Sequence, residues 1–139
     1  RIREVLKAND FDILLSQDQQ LAEQIKIELI KLLQILPLQL DKTLSKHLEN
    51  KLNLEYSKVS KLFSVTENIT VEKYFIKLKM EKVKELIQLQ ENNFTEISQL
   101  LDYSSVNHLS RQFKSETGMS LTGHKKNQSI ERHSLDQIR

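Results

Sequence analysis

The chain has 139 residues, 38% hydrophobic and 29% charged, with a formal net charge of +2. That length suits one domain, or a small domain with an appendage, and can bury a real core. Two glycines and one proline exclude a turn-rich β sandwich or barrel, and the absence of cysteine excludes a disulfide scaffold, a thiolate metal site and a cysteine nucleophile. The longest apolar run, around Leu36 to Leu40, is interrupted by Pro37 and Gln39, so no membrane span is expected. With no cationic stretch followed by an apolar segment at the start of this sequence, no secretory signal is expected. It starts at Arg1 rather than methionine, and a fragment of a longer protein is expected. The expectation is an all-α, soluble, cytoplasmic protein.

In chain order, Ile2 to Ala8 has helical spacing, Asn9-Asp10 reads as a break, and Phe11 to Leu15 reads as a short strand. A strong helix follows from about Gln19 to Leu36, ended by Pro37. Leu21, Ile25, Leu29, Leu32 and Leu36 form one apolar stripe on it, and Ile27, Ile30 and Leu33 form a second. A helix apolar on two sides must be covered on both, by its own domain and by a partner such as a second copy of the chain. Asp41 or Thr43 caps a helix through Leu44, Leu48 and Leu52, and another runs from about Ser57 to Glu67, stopped by Asn68. Thr70 opens a long helix to about Leu89. Asn93 and Glu96 form a capping box for a helix through Ile97, Leu100 and Leu101. A helix from Ser105 to Thr117 is closed by Gly118, and a short one from Leu121 to Asn127 precedes a polar tail. The division is therefore 1–40, an upstream remnant with a connecting helix; 41–127, a helical domain; and 128–139, a tail.

The domain repeats itself. Val59-Ser60-Lys61-Leu62-Phe63 matches Leu109-Ser110-Arg111-Gln112-Phe113 fifty positions later, and Asn68, Thr70 and Val71 match Gly118, Ser120 and Leu121. Leu48 and Leu52 correspond to Ile97 and Leu101. Each copy is helix, short turn, helix, so the expected fold is two helix-turn-helix subdomains joined by one long linker helix.

In the second copy, Val106, Leu109 and Phe113 take the inner face, while Ser104, Asn107, His108, Arg111 and Lys114 point outward. Asn pairs bidentately with adenine and Arg with guanine, which is the equipment of a major-groove reading helix. In the first copy Ser57, Lys58, Ser60, Lys61 and Ser64 face outward, a set suited to phosphate positioning. About twenty linker residues at ~1.5 Å each span roughly 30 Å, close to the ~34 Å between successive major-groove faces on one side of duplex DNA.

Glu96-Ile97-Ser98, Tyr103 through Lys114, and Gly118-Met119-Ser120 together resemble the C-terminal signature of AraC-type transcription regulators. The helix with Tyr74-Phe75, Lys79-Met80 and Glu85-Leu86-Ile87 resembles that family's linker helix. The resemblance spans roughly Asp41 to Lys126. The chain departs from the pattern at Ser98, Asp102 and Lys79, and at Leu121, His124 and Lys125, where the family has proline, tyrosine and arginine. The resemblance implies base contacts at Ser57, Ser60 and Lys61, and at Asn107, His108, Ser110 and Arg111. With the outward Lys58, Ser104 and Lys114 and the helix-opening Ser105, these make up the expected DNA-binding set.

His47, His108, His124 and His133 show no metal spacing, and no nucleophile elbow or glycine-rich phosphate loop exists, so neither metal, cofactor nor catalysis is expected. Lysines and glutamates alternating from Glu72 to Glu85 read as a solvated face with i,i+4 pairs. Double-stranded DNA is the expected partner, with self-association through Gln19–Leu36 and RNA polymerase as further ones. The competing reading is a helical protein-interaction module acting through that same apolar helix.

Overall fold

The computed structural model describes the backbone of residues 2–40 and 42–138 and the side chains of residues 16–40 and 42–130. Among the described residues there are seven helices and no strand: α1 (Ile2–Gln34), α2 (Leu44–Leu52), α3 (Tyr56–Glu67), α4 (Val71–Leu89), α5 (Phe94–Leu100), α6 (Val106–Thr117) and α7 (Leu121–Ile138). Residues 11–15, expected as a strand, belong to α1. A lone strand leaves its backbone groups unpaired, whereas a helix satisfies them internally. Asn9 and Asp10 cost a helix interior only tenths of a kcal/mol, about 0.7 at most, too little to stop it. The side chains of Ile2, Val5 and Leu6, like Asp41, lie outside the described residues. At the other end, α7 continues past Asn127 through most of the expected tail, a stretch that holds neither glycine nor proline. Arg139 lies outside the described residues.

The chain forms two compact units. The first comprises residues 1–34 and 40–75. Here α1 packs on α2 and α3. It buries Ala22, Ile25, Leu29 and Leu33 against a core completed by Leu48, Val59, Phe63, Val71 and Phe75. Leu33 thus leaves the second stripe and joins the core, while Ile27 and Ile30 stay 49% and 40% exposed. Lys26 ties α1 to α3 through Glu67 at 2.9 Å and also meets Glu23, and these carboxylates push its ammonium pKa up. Thr43 caps α2 by accepting from the Lys46 N–H at 3.3 Å. Asn53 ends it at φ 54, a left-handed turn that asparagine tolerates.

The second unit comprises residues 35–39 and 76–139. Its core is Leu38, Met80, Val83, Leu86, Ile87, Ile97, Leu101, Tyr103, Leu109, Phe113 and Leu121. The Leu38 N–H donates to the Leu100 carbonyl at 2.7 Å. The Asn93–Glu96 capping box forms as expected. Asp102 adopts φ 61, a left-handed turn that aspartate tolerates. Buried Ser98 donates to the Thr95 carbonyl at 2.6 Å and needs no other partner. Gln128 on α7 donates to the Lys84 carbonyl of α4 at 3.2 Å, fastening the helical extension. On α4 the charged face is paired at i,i+3 rather than i,i+4, Lys82 with Glu85 and Lys84 with Glu81.

The fifty-residue repeat is physical as well as textual. Val59 and Phe63, like Leu109 and Phe113, are fully buried. Asn68 at φ 58 and Gly118 at φ 77 close α3 and α6 with equivalent backbone bonds to Ser64 and Lys114. Thr70 accepts from the Lys73 N–H and Ser120 from the Gly123 N–H, opening α4 and α7 alike. Phe63 meets Tyr74 edge-to-face at 5.3 Å, and Phe113 meets His124 at 5.6 Å. His124 therefore takes in the second copy the place that Tyr74 has in the first.

Candidate nucleic-acid interface

In the second unit, α6 buries Leu109 and Phe113 and leaves Val106 half-buried, which turns Asn107, His108, Arg111 and Lys114 out to solvent. Ser104 and Ser105 are also exposed. Ser105 is the N-cap, its hydroxyl accepting from the His108 N–H at 3.1 Å, so it holds the helix start as well as facing outward. Ser110 is half-buried, at the flank of the outward face rather than its centre. The His108 ring is held on two sides: Nδ1 lies 3.3 Å from the Ser104 hydroxyl, and the buried Tyr103 ring stands edge-on at 5.1 Å. Nδ1 is thus the ring nitrogen that the Ser104 hydroxyl engages. Arg111 donates from Nε to the Asn107 carbonyl at 3.4 Å, so its two terminal nitrogens remain as the fork that matches guanine O6 and N7.

Tyr103, at the turn before α6, anchors this arrangement from beneath. Its hydroxyl donates to Gln112 on α6, and the Lys79 ammonium of α4 lies over its ring. Gln112 and Lys79, both half-buried, lie outside the expected set. Their part is support, and only spatial proximity shows it.

In the first unit, α3 buries Val59 and Phe63 and exposes Ser57, Lys58 and Lys61. Ser60 and Ser64 are half-buried. Tyr56 fixes the helix start: its N–H donates to Glu49 at 3.0 Å, which with Lys46 holds that carboxyl below its usual range. Its hydroxyl donates to Glu72, and burial pushes the phenol pKa well up. Two residues beyond the expected set lie on this face. Val65 is 75% exposed, and Asp18 of α1 joins Lys58, Lys61, Leu62, Val65 and Thr66 around a shallow groove. Helical spacing from Lys61 to Val65 was legible in the sequence; the approach of Asp18 was not.

Among the described residues no three His, Asp or Glu side chains gather as a metal site, and no helix is long and apolar enough to cross a membrane.

Residues 48–127 match the helix-turn-helix domain family, more than half of the chain. No curated protein matches the chain. Among solved structures, it is similar to the C-terminal domain of AraT, a response regulator from Geobacillus stearothermophilus, at 18% identity and TM-score 0.63 over 74% of this chain and 84% of that one. It is also similar to a transcriptional regulator of the AraC-type DNA-binding-domain class from Chromobacterium violaceum, at 13% identity and TM-score 0.65 over 76% and 93%. A third likeness, at 26% identity and TM-score 0.54 over 60% and 81%, is to the C-terminal domain of the two-component response regulator yesN from Fusobacterium nucleatum. The family match, the two repeated helix-turn-helix units and their paired outward faces agree, and the chain belongs to the AraC-type helix-turn-helix family of DNA-binding transcription regulators.

Proposed function

We propose that the chain reads a specific duplex sequence in the cytoplasm by placing α3 and α6 in successive major-groove segments. The observation that carries this reading is the equivalence of Lys61 and Arg111, each exposed two residues before a fully buried phenylalanine at the same point of the repeat. Arg111, Asn107 and His108 read base edges, with Ser104 holding His108 and Ser110 at the flank. Ser57, Lys58, Ser60, Lys61 and Lys114 mainly hold backbone and sugar, and Ser105 sets the start of α6. Along the chain, α4 runs unbroken between the two helix-turn-helix copies. Regulation of transcription further implies RNA polymerase as a protein partner.

A second copy of the chain is proposed to dock on α1 through Ile27 and Ile30, which remain half-exposed after the helix has covered its own core. The alternative of a protein-interaction module without DNA binding is not favoured, because it leaves the outward Asn107 and Arg111 without a role. The test is selection from random duplex followed by mobility-shift titration at two salt concentrations. The expected result is a site with two conserved blocks about 10 base pairs apart, bound with steep salt dependence. A single block, or binding no tighter than to random duplex, would overturn the reading.

A further inference from the structure

Val65 is the most exposed of the large hydrophobic side chains among the described residues, at 75%. It stands on α3 four residues after Lys61 and seven after Lys58, on one exposed helical stripe. Folding does not require an apolar group there. The repeat-equivalent position on α6 is Ser115, which is exposed on a helix that ends in the same left-handed turn and buries its phenylalanine at the same point. The surroundings of Val65 are specific. Leu62 and Thr66 flank it, Lys58 and Lys61 supply positive charge, and the Asp18 carboxylate of α1 lines the same groove.

The lysines favour a polyanion beside the groove, while the carboxylate disfavours a phosphate within it. A neutral apolar group attached to a polyanion satisfies both. Duplex DNA offers one such group in the major groove, the C5-methyl of thymine, which no other base carries. We infer that Val65 is a specificity-determining residue that receives the C5-methyl of one thymine in the segment read by α3.

The inference rests on the reading of α3 as a DNA-facing helix. It changes the role of the first repeat, which on its hydroxyls and lysines alone supplies affinity rather than discrimination. Val65 adds selection for thymine without a hydrogen bond. Asp18 makes that selection sharper by keeping phosphate out of the groove.

The experiment uses the full chain and the duplex recovered by selection, with each thymine replaced in turn by deoxyuridine. This removes the methyl and leaves every base-pairing group in place. At one thymine the substitution should weaken wild-type binding about fourfold, the equivalent of one buried methylene at ~0.8 kcal/mol. The same substitution should leave Val65→Ser unaffected, and Val65→Ser should bind the thymine duplex about as the wild type binds the uracil duplex. Thermal unfolding of Val65→Ser should match wild type, since the side chain is exposed. Lys61→Ala serves as the control for the underlying reading. If Lys61→Ala weakens binding but no thymine is coupled to Val65, the inference fails while α3 stays on DNA. If Lys61→Ala has no effect either, the reading of α3 has failed. A Val65→Ser variant that changes the sedimentation coefficient rather than thymine preference would assign the face to a protein contact and overturn the inference.

Discussion

The Lys79 ammonium lies 4.7 Å from the centroid of the Tyr103 ring, so a cation from α4 rests on the aromatic residue at the turn before α6. Burial lowers the Lys79 pKa, with Asp102 opposing, and raises that of the Tyr103 phenol, aided by Glu116. A phenol raised above its unfolded value of 10.0 contributes stability that is complete below pH 10 and lost as the pH climbs beyond it. Lys79 runs the other way: its lowered pKa makes stability rise towards pH 10.5, the unfolded value. Tyr103→Phe keeps the ring under Lys79 and removes the phenol. Urea unfolding from pH 8 to 11 should show a loss of stability above pH 10 in wild type and a smaller one in the variant. Equal slopes would mean that Tyr103 ionises as it does in the unfolded chain.

Ser105 can be separated into its two roles. Ser105→Ala removes the cap on the His108 N–H and should cost ~1 kcal/mol of stability. Ser105→Asp keeps a capping oxygen and should retain stability near that of wild type. If the residue also faces phosphate, the aspartate variant should bind DNA more weakly than the alanine one. Unfolding curves and mobility shifts on the same two proteins settle the division.

Arg111 and Lys61 occupy equivalent places but carry different chemistry. Arg111→Ala should cost roughly 1–3 kcal/mol in binding and relax the preference at one base position. Lys61→Ala should weaken binding to all duplexes alike and reduce the salt slope by about one, because an ammonium lacks the guanidinium fork. Lys58→Ala and Lys114→Ala should behave as Lys61→Ala does. Site selection repeated with each variant provides the measurement. A changed preferred sequence with Lys61→Ala, together with a uniform loss with Arg111→Ala, would reverse the assignment.

The half-exposed Ile27 and Ile30 predict that Ile27→Gln with Ile30→Gln abolishes self-association and leaves unfolding nearly unchanged. Sedimentation at micromolar concentration should give a dimer for wild type and a monomer for the double variant. A wild-type monomer would show that these side chains need no partner.

Most of the helices and their caps were legible because their causes are local. The Asn93–Glu96 box, Asn68 and Gly118 at left-handed turns, and the three- and four-residue spacing of buried side chains each depend on neighbours along the chain. The repeat made Val59, Phe63, Leu109 and Phe113 recognisable as core, and by opposition it exposed Asn107, Arg111, Lys58 and Lys61. Local signals ran out where the deciding partner is distant. Asn9-Asp10 looked like a break, but a helix that pairs its own backbone outlasts two weak formers. The two stripes of α1 looked equivalent until packing on α2 and α3 took Leu33 and left Ile27 and Ile30 outside. The last helix was expected to end at Asn127 before a polar tail, yet Gln128 reaches back to the Lys84 carbonyl across 44 residues of sequence. Tertiary structure alone set Lys79 over Tyr103, His124 against Phe113 and Asp18 beside Val65, because such contacts depend on where helices meet and no spacing along one helix encodes them.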